Sequence, residues 1–364
     1  MPFNNKLKKY AGIGALLLLP LVLQGFGDHW VRIADTCLLY IMMALGMNIV
    51  VGYAGLLDLG YVAFYAVGAY LFALLASQHL PEHFVWIAAM FPTGLHAPWW
   101  VAIPLAVLLA GVLGILLGAP TLKLRGDYLA IVTLGFGEIV RIFINNLGHP
   151  VNITNGAKGL GQIDSIRLWG VDLGQPFLLG GTTLSSVTLY YYLFLALTLL
   201  TVIACYRLQG SRIGRAWMAI RDDEVAAEAM GIPTSHMKLL AFCLGAGFGG
   251  VAGAMFATFQ GFISPESFSL MESVMIVAMV VFGGIGHIPG VIVGAVVLTA
   301  LPEMLRYVVG PLQEMTDGRL DAGILRQLLI ALAMIGAMLL RPRGLWPAPE
   351  HGKSLRSIGQ TLKP

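Results

Sequence analysis

Charged residues are scarce in this sequence of 364 residues: Asp, Glu, Lys and Arg together make up 11% of it, against about 25% in ordinary soluble domains. Hydrophobic residues make up 57%, and the mean hydropathy is +0.80. A soluble protein of this composition would expose a large hydrocarbon surface to water, whereas a lipid bilayer accepts such a surface. The low charge therefore excludes an ordinary soluble domain and indicates an integral membrane protein.

The sequence also lacks the cysteine and histidine patterns that hold metals or perform catalysis. Its three cysteines, Cys37, Cys205 and Cys243, lie singly in apolar runs, without the spacing of a disulfide framework or a zinc site. Neither HExxH nor GxSxG occurs, which removes two common hydrolase sites. We therefore predict no catalytic residue, no metal site and no enzyme activity on this chain.

Motifs for nucleotides and nucleic acids are missing as well. The pattern GxxxxGK(S/T), whose loop cradles the phosphates of ATP, does not occur. The net charge is only +3, and no basic tract is interleaved with aromatic residues, as a nucleic-acid surface would require. We predict no cofactor and no nucleic-acid partner for this chain, so any ATP hydrolysis would belong to another chain.

Long apolar runs are what the sequence has instead. A helix needs about 20 residues to cross the hydrocarbon layer, and small residues such as the 45 glycines let membrane helices approach closely. Runs of about this length lie near residues 10–27, 34–51, 55–78, 99–119, 127–146, 187–207, 238–260, 270–285, 288–310 and 323–341. They predict an all-α polytopic bundle with about ten membrane spans.

Basic residues in the loops predict the orientation of the chain, because cytoplasmic loops are enriched in Lys and Arg. Four clusters fall on one side when ten spans are counted: Lys6, Lys8 and Lys9; Lys123 and Arg125; Arg207, Arg212, Arg215 and Arg221; and Arg341, Arg343, Lys353, Arg356 and Lys363. Residues 314–321, on the other side, contain three acids and one arginine. We therefore predict that both termini are cytoplasmic.

Two long loops complete the predicted organisation. Residues 1–346 form one transmembrane domain, with a periplasmic loop at about 147–186 and a cytoplasmic loop at about 208–237, and residues 347–364 form a cytoplasmic tail. The cytoplasmic loop is charged and alanine-rich, and Gly231 followed by Pro233 predicts the end of a helix. Such a helix could dock into a soluble motor domain, or it could be a solvated helix without a partner.

Polar residues inside the predicted spans are candidates for a translocation path, because a charge in the membrane usually faces protein or water. The candidates are Asn48, Asp58, Glu138, Arg141 and Glu272. Glu138 and Arg141 share a helix face and can neutralise each other, and Asp58 lies in a glycine-flanked stretch where the helix could be broken. The alternative is that these residues tie helices together without touching substrate.

Six segments carry a resemblance to a known family. They are residues 52–60 (GYAGLLDLG), 64–70 (FYAVGAY), 124–134 (LRGDYLAIVTL), 211–231 (SRIGRAWMAIRDDEVAAEAMG), 281–286 (VFGGIG) and 341–345 (RPRGL). In this order they resemble the branched-chain amino-acid ABC transporter permeases, M-type, over about residues 30–346. Ala226, Ala227 and Gly231 resemble the EAAxxxG element that contacts the ATPase subunits, although Val225 stands where that element has its glutamate.

The resemblance implies a multi-subunit importer in the bacterial inner membrane. Its implied partners are a homologous second permease, two ATP-binding cassette subunits that carry ATP and Mg, and a periplasmic substrate-binding protein. The implied ATPase-coupling residues are Arg221, Asp222, Asp223, Glu224, Ala226, Ala227, Glu228 and Gly231. Leucine, isoleucine and valine are the substrates that the family implies.

Two alternatives stay open at the level of sequence. A sibling permease could carry urea, short amides or aromatic acids. A secondary transporter driven by an ion gradient would need intramembrane carboxylates, for which Asp58, Glu138 and Glu272 are the available residues.

Overall fold

A computed structural model describes residues 3–91, 94–122, 124, 126–168, 170–179, 182–315, 322–341 and 344–346. The predicted tail 347–364, the loop residues Lys123 and Arg125 and most of the predicted outer segment 314–321 lie outside the described residues.

The described chain is mainly helical. Its α-helices are α1 (Phe3–Gln24), α2 (Asp28–Met47), α3 (Val62–Leu75), α4 (His79–His83), α5 (Val85–Met90), α6 (Trp99–Thr121), α7 (Asp127–Asn146), α8 (Ser186–Gly210), α9 (Arg212–Asp222), α10 (Glu224–Ala229), α11 (Thr234–Gln260), α12 (Leu270–Gly283), α13 (Ile288–Met315) and α14 (Ala322–Leu340). Each of the ten predicted runs overlaps one of these helices. The prediction of an all-α membrane protein is confirmed.

Five helical segments are long and apolar enough to cross a membrane. Among the described residues these are Asp28–Tyr53, Trp99–Thr121, Ser186–Gly210, Thr234–Gln260 and Ile288–Arg306. Other apolar helices, such as α3 and α12, are shorter than a full span. The count of about ten spans and the placement of both termini in the cytoplasm therefore stay predictions.

The segment between α2 and α3 departs from the predicted span at 55–78. Helix α2 continues as a π-helix, Asn48–Tyr53, in which the amide of Ala54 donates to the carbonyl of Ile49 five residues earlier. The chain then leaves the helix, and Gly55 adopts a φ of +71° that favours glycine. The next helix begins only at Val62. The predicted start of this span is wrong because a left-handed residue interrupts the helix within the apolar run.

The centre of the bundle is built where α11 packs along α3 and α6. Glycines allow this contact because they have no side chain. A methyl group on Gly68 would overlap the carbonyl oxygen of Gly250, and a methyl group on Gly253 would overlap the carbonyl oxygen of Tyr65. The backbones of α3 and α11 therefore touch directly, as small residues permit in membrane bundles.

The long loop 147–185 contains the described β-structure. Strand β1 (Arg167–Leu168) pairs antiparallel with β2 (Val171–Asp172), and β3 (Phe177–Leu179) pairs antiparallel with β4 (Thr182–Leu184). Helix α8 joins this loop to α9, so the loop and the pair α9–α10 lie at opposite ends of the bundle.

Candidate functional site

The predicted docking helix is in fact two helices, α9 and α10. Ser211 caps α9, and its hydroxyl oxygen accepts the amide of Gly214 at 3.2 Å. Asp223 is extended, and its Oδ1 accepts the amides of Val225 at 2.9 Å and Ala226 at 3.1 Å. The expectation of one helix is wrong because the Asp223 side chain offers these amides an alternative partner and caps a new helix.

Helix α10 ends just before Gly231, which is the predicted stop signal. This glycine has a φ of +83°, and its amide donates to the carbonyl of Glu228 at 2.9 Å. The amide of Ile232 donates to the carbonyl of Ala227 at 3.1 Å. The two bonds form a Schellman motif, whose left-handed position favours glycine.

The outer face of α10 combines small, apolar and acidic residues. Ala226 and Glu228 are exposed, and Val225 and Met230 are 66% and 84% exposed. Sequence reasoning missed Val225 and Met230, although an exposed apolar pair beside a small residue indicates a contact surface. We call Val225, Ala226, Glu228 and Met230 the α10 face.

Other predicted coupling residues hold the two helices to the bundle instead of facing outward. Ala227 is buried, and Glu224 binds the ammonium group of Lys238, which is itself buried in the first turns of α11. Trp217, which was not among the predicted coupling residues, is fully buried, and its Nε1 donates to the carbonyl of Met237 at 2.7 Å. Asp222 and Asp223 are exceptions: the Asp222 side chain is 78% exposed, and Asp223 is exposed as well.

Arg221 connects α9 to the π-helix. Its Nη1 donates to the carbonyl of Gly52 at 2.6 Å, and its aliphatic stem lies against Gly55, where an added Cβ would be 2.7 Å from Arg221 Cγ. Asn48, in the same π-helix, accepts the amide of Gly286 at 2.9 Å. The π-helix is thus bound on one side by α9 and on the other by the turn between α12 and α13.

Asp58 lies in the break between the π-helix and α3. It is buried, its Oδ1 accepts the amide of Gly60 at 2.8 Å, and the amide of the adjacent Leu59 donates to Thr133 Oγ1 at 3.0 Å. Within the described part of the chain, Asp58 Oδ2 has no hydrogen-bond partner. Asp58 therefore shapes the irregular segment that begins α3.

Replacing Asp58 with leucine is expected to impair folding and uptake. The buried amide of Gly60 would lose its acceptor, at a cost of about 1–3 kcal/mol. Asp58→Asn keeps an acceptor oxygen of similar shape and is the matched control. Thermal unfolding and substrate uptake of the purified variants would measure the effect, and a fully stable and active Asp58→Leu protein would show that the residue is incidental.

The remaining path candidates contact different parts of the bundle. Glu138 Oε2 accepts Arg141 Nε at 2.9 Å and Nη2 at 2.8 Å, which confirms the predicted pair. Glu272 Oε2 accepts the hydroxyl of Tyr40 at 2.6 Å and so links α12 to α2. Asn48 is buried in its tie to Gly286. The five predicted path residues are thus spread over four places and do not form one described cluster.

Asp35 is a buried charge that sequence reasoning missed. It lies on α2, is fully buried, and neither carboxylate oxygen has a hydrogen-bond partner among the described residues. A lone acid in the apolar run 34–51 was the available signal, since an ionisable residue within a span is rarely incidental.

Comparisons with known proteins place the chain in a family. The family model described as "Branched-chain amino acid transport system / permease component" matches residues 30–340. The chain is 39% identical over 339 residues to the high-affinity branched-chain amino acid transport system permease protein LivM of Salmonella typhimurium, covering 90% of this chain and 72% of that protein. It is 40% identical to LivM of Escherichia coli, with the same coverage.

A second kind of permease is also similar. The chain is 27% identical over 263 residues to the permease protein LivH of Salmonella typhimurium, covering 71% of this chain and 79% of that protein. No solved structure matches. The family match spans most of the membrane bundle and includes α9, α10 and the π-helix. The chain therefore belongs to the family of permease components of branched-chain amino acid transport systems.

Proposed function

We propose that this chain is one of two homologous membrane-spanning subunits of an ATP-driven importer for branched-chain amino acids. The observation that carries the proposal is the exposed α10 face, which is joined to the bundle through Arg221 and the π-helix. The similarity of the chain to both LivM and LivH supports a second, homologous permease as its partner.

The proposed importer lies in the bacterial inner membrane, with about ten spans in this chain and both termini in the cytoplasm. The basic residues around α9 support this orientation, because cytoplasmic loops are enriched in Lys and Arg. Loop 147–185 would then face the periplasm, where a substrate-binding protein would deliver the amino acid.

The proposed mechanism assigns ATP and Mg to two ATPase subunits that bind the α10 face. Ala226 permits close approach, and Val225 and Met230 supply apolar contact area. Closure of the ATPase pair would push α9–α10, and Arg221 would pass that motion to the π-helix. An ion-driven carrier finds no specific support, since Asp58 and Glu138 are bound by residues close to them in sequence and Glu272 accepts the hydroxyl of Tyr40.

Co-purification tests the proposal directly. The tagged chain is expected to bring down a second permease and two ATPases when all are co-expressed. Ala226→Glu would place a bulky charge on the α10 face and should release the ATPases while the second permease stays bound. Ala226→Ser keeps the residue small and should retain both partners.

A different outcome of the purification would contradict the proposed importer. A wild-type chain that purifies alone, and that transports into vesicles on an ion gradient without ATP, would replace the proposal with a self-contained carrier.

A further inference from the structure

A cavity of about 510 Å³ opens at the end of the bundle opposite α9–α10. Three separate segments line it: the end of α3, the connection that leads into α6, and the loop that leads into β1. Its lining includes Phe72, His96, Trp99, Asp164, Ile166 and Arg167. Its volume lies within the range of about 300–1,000 Å³ that is usual for small-molecule sites.

Hydrogen bonds between the three segments hold the cavity walls in place. The amide of Ala97 donates to the carbonyl of Leu75 at 3.0 Å, and that of Asp164 donates to the carbonyl of Ala76 at 2.8 Å. The indole of Trp99 donates to the carbonyl of Arg167 at 3.1 Å. The cavity is therefore formed before any ligand arrives, which lowers the free-energy cost of binding.

The backbone at His96 is strained next to this cavity. His96 has a φ of +38°, in the left-handed region that non-glycine residues seldom adopt. Its Nδ1 lies 2.5 Å from Asp164 Oδ2, so the strained residue positions the Asp164 carboxylate. Strain of this kind is concentrated at binding and catalytic sites.

The chemistry of the lining matches an apolar amino acid. Asp164 supplies two acceptor oxygens, so it can accept from an ammonium group while it also contacts His96. Arg167, three residues later on the same wall, has an 81% exposed side chain, and its Nε lies 3.5 Å from Asp172 Oδ2. Its two terminal nitrogens can donate to the carboxylate of a ligand. Phe72, Trp99 and Ile166 give the cavity apolar surface for an aliphatic side chain.

We infer that this cavity binds a free aliphatic amino acid, with its ammonium on Asp164 and its carboxylate on Arg167. The inference rests on the proposed function and extends it, because it places an entry site for substrate on this chain. A leucine released near loop 147–185 would bind here before it enters the bundle. A site that needs both charges would also reject amines and fatty acids of the same shape.

Binding of leucine to the assembled transporter, without its binding protein, tests the inference. Saturation-transfer NMR on the complex in nanodiscs would compare L-leucine with 4-methylpentanoate, which lacks the ammonium, and with 3-methylbutylamine, which lacks the carboxylate. Leucine is expected to bind at least tenfold more tightly than either analogue. Equal binding of leucine and one analogue would overturn the two-point assignment, and tighter binding of glycerophosphoethanolamine would assign the cavity to a lipid headgroup.

Single substitutions separate the two contacts. Asp164→Asn should weaken the binding of leucine at least tenfold and leave the binding of 4-methylpentanoate unchanged. Arg167→Gln should weaken the binding of leucine and leave the binding of 3-methylbutylamine unchanged. Lys158→Gln removes an exposed charge from the same loop, outside the cavity. It should leave the binding of leucine and of both analogues unchanged. Because Arg167 is largely exposed, its replacement removes an ion pair with Asp172 but no buried contact, and it keeps the test valid if Asp164→Asn folds poorly.

ATP-dependent leucine uptake by the wild-type complex with its binding protein distinguishes this inference from the proposed function. Uptake together with unchanged leucine binding in both variants would overturn only the cavity site. A wild-type complex that takes up no branched-chain amino acid on ATP would overturn the proposed function itself.

Discussion

Replacing Arg221 with alanine is expected to lower ATP-dependent uptake at least tenfold, while the chain stays folded and its ATPases stay bound. The reason is the position of the guanidinium, which faces the bundle and donates to the carbonyl of Gly52 in the π-helix. A hydrogen bond from a charged group contributes about 1.5–3 kcal/mol, and each 1.4 kcal/mol changes an equilibrium about tenfold. Without this bond, α9 could move and leave the π-helix behind.

The measurement is uptake and ATP hydrolysis by the reconstituted complex. The expected signature of Arg221→Ala is continued hydrolysis with little transport. Arg212→Ala is the matched control, because it removes a guanidinium from the other end of α9, where the side chain is exposed, and it should transport normally. If Arg221→Ala released the ATPases, the side chain would act at the partner surface, as the sequence alone suggested. Normal transport by this variant would remove Arg221 from the coupling path altogether.

The π-helix is suited to carry motion from α9 into the bundle. Its wider turns are rare and are frequently found at functional sites, and here they lead directly into the segment that holds Asp58. The same π-helix contacts the turn after α12 through Asn48 and Gly286. A displacement of Arg221 would therefore reach two separate parts of the bundle through one short segment.

The ten apolar runs in the sequence predicted the corresponding helices well, because the length of an apolar run is a local property of the sequence. It also predicted the end of α10, since Gly231 followed by Pro233 is a local stop signal. The position of Arg221 could have been found too: Gly214, Trp217 and Arg221 recur at helical spacing, and the first two are buried. That spacing puts Arg221 on the inner face of α9.

Other features depend on contacts between distant segments and left no local pattern. The π-helix is held by Arg221 and Gly286, which lie 169 and 234 residues beyond Gly52. The cavity beside His96 and Asp164 joins residues from three parts of the chain, none of which forms a motif by itself. The break at Asp223 arises because a capping carboxylate competes with helix continuation, an outcome that helix propensity does not decide.

Replacing Gly253 with alanine is expected to destabilise the folded bundle by about 1–3 kcal/mol or more, the range for overpacking. The added methyl would overlap the carbonyl oxygen of Tyr65 and lie 2.8 Å from the amide nitrogen of Ala69. Both obstacles are backbone atoms of α3, so no side-chain rotation can relieve them. The two helices would have to separate, and the close contact between Gly68 and Gly250 would open as well.

Gly135→Ala is the matched control, because Gly135 lies within α7 and has no atom within 4 Å of an added Cβ. In an open helical position this change should stabilise the helix by up to about 1 kcal/mol. The two alanine variants are therefore expected to shift the unfolding midpoint in opposite directions, measured by denaturant titration in mixed micelles with the folded fraction followed by gel filtration. If Gly253→Ala also raised the midpoint, α3 and α11 could not touch backbone to backbone, and the centre of the bundle would have to be packed differently.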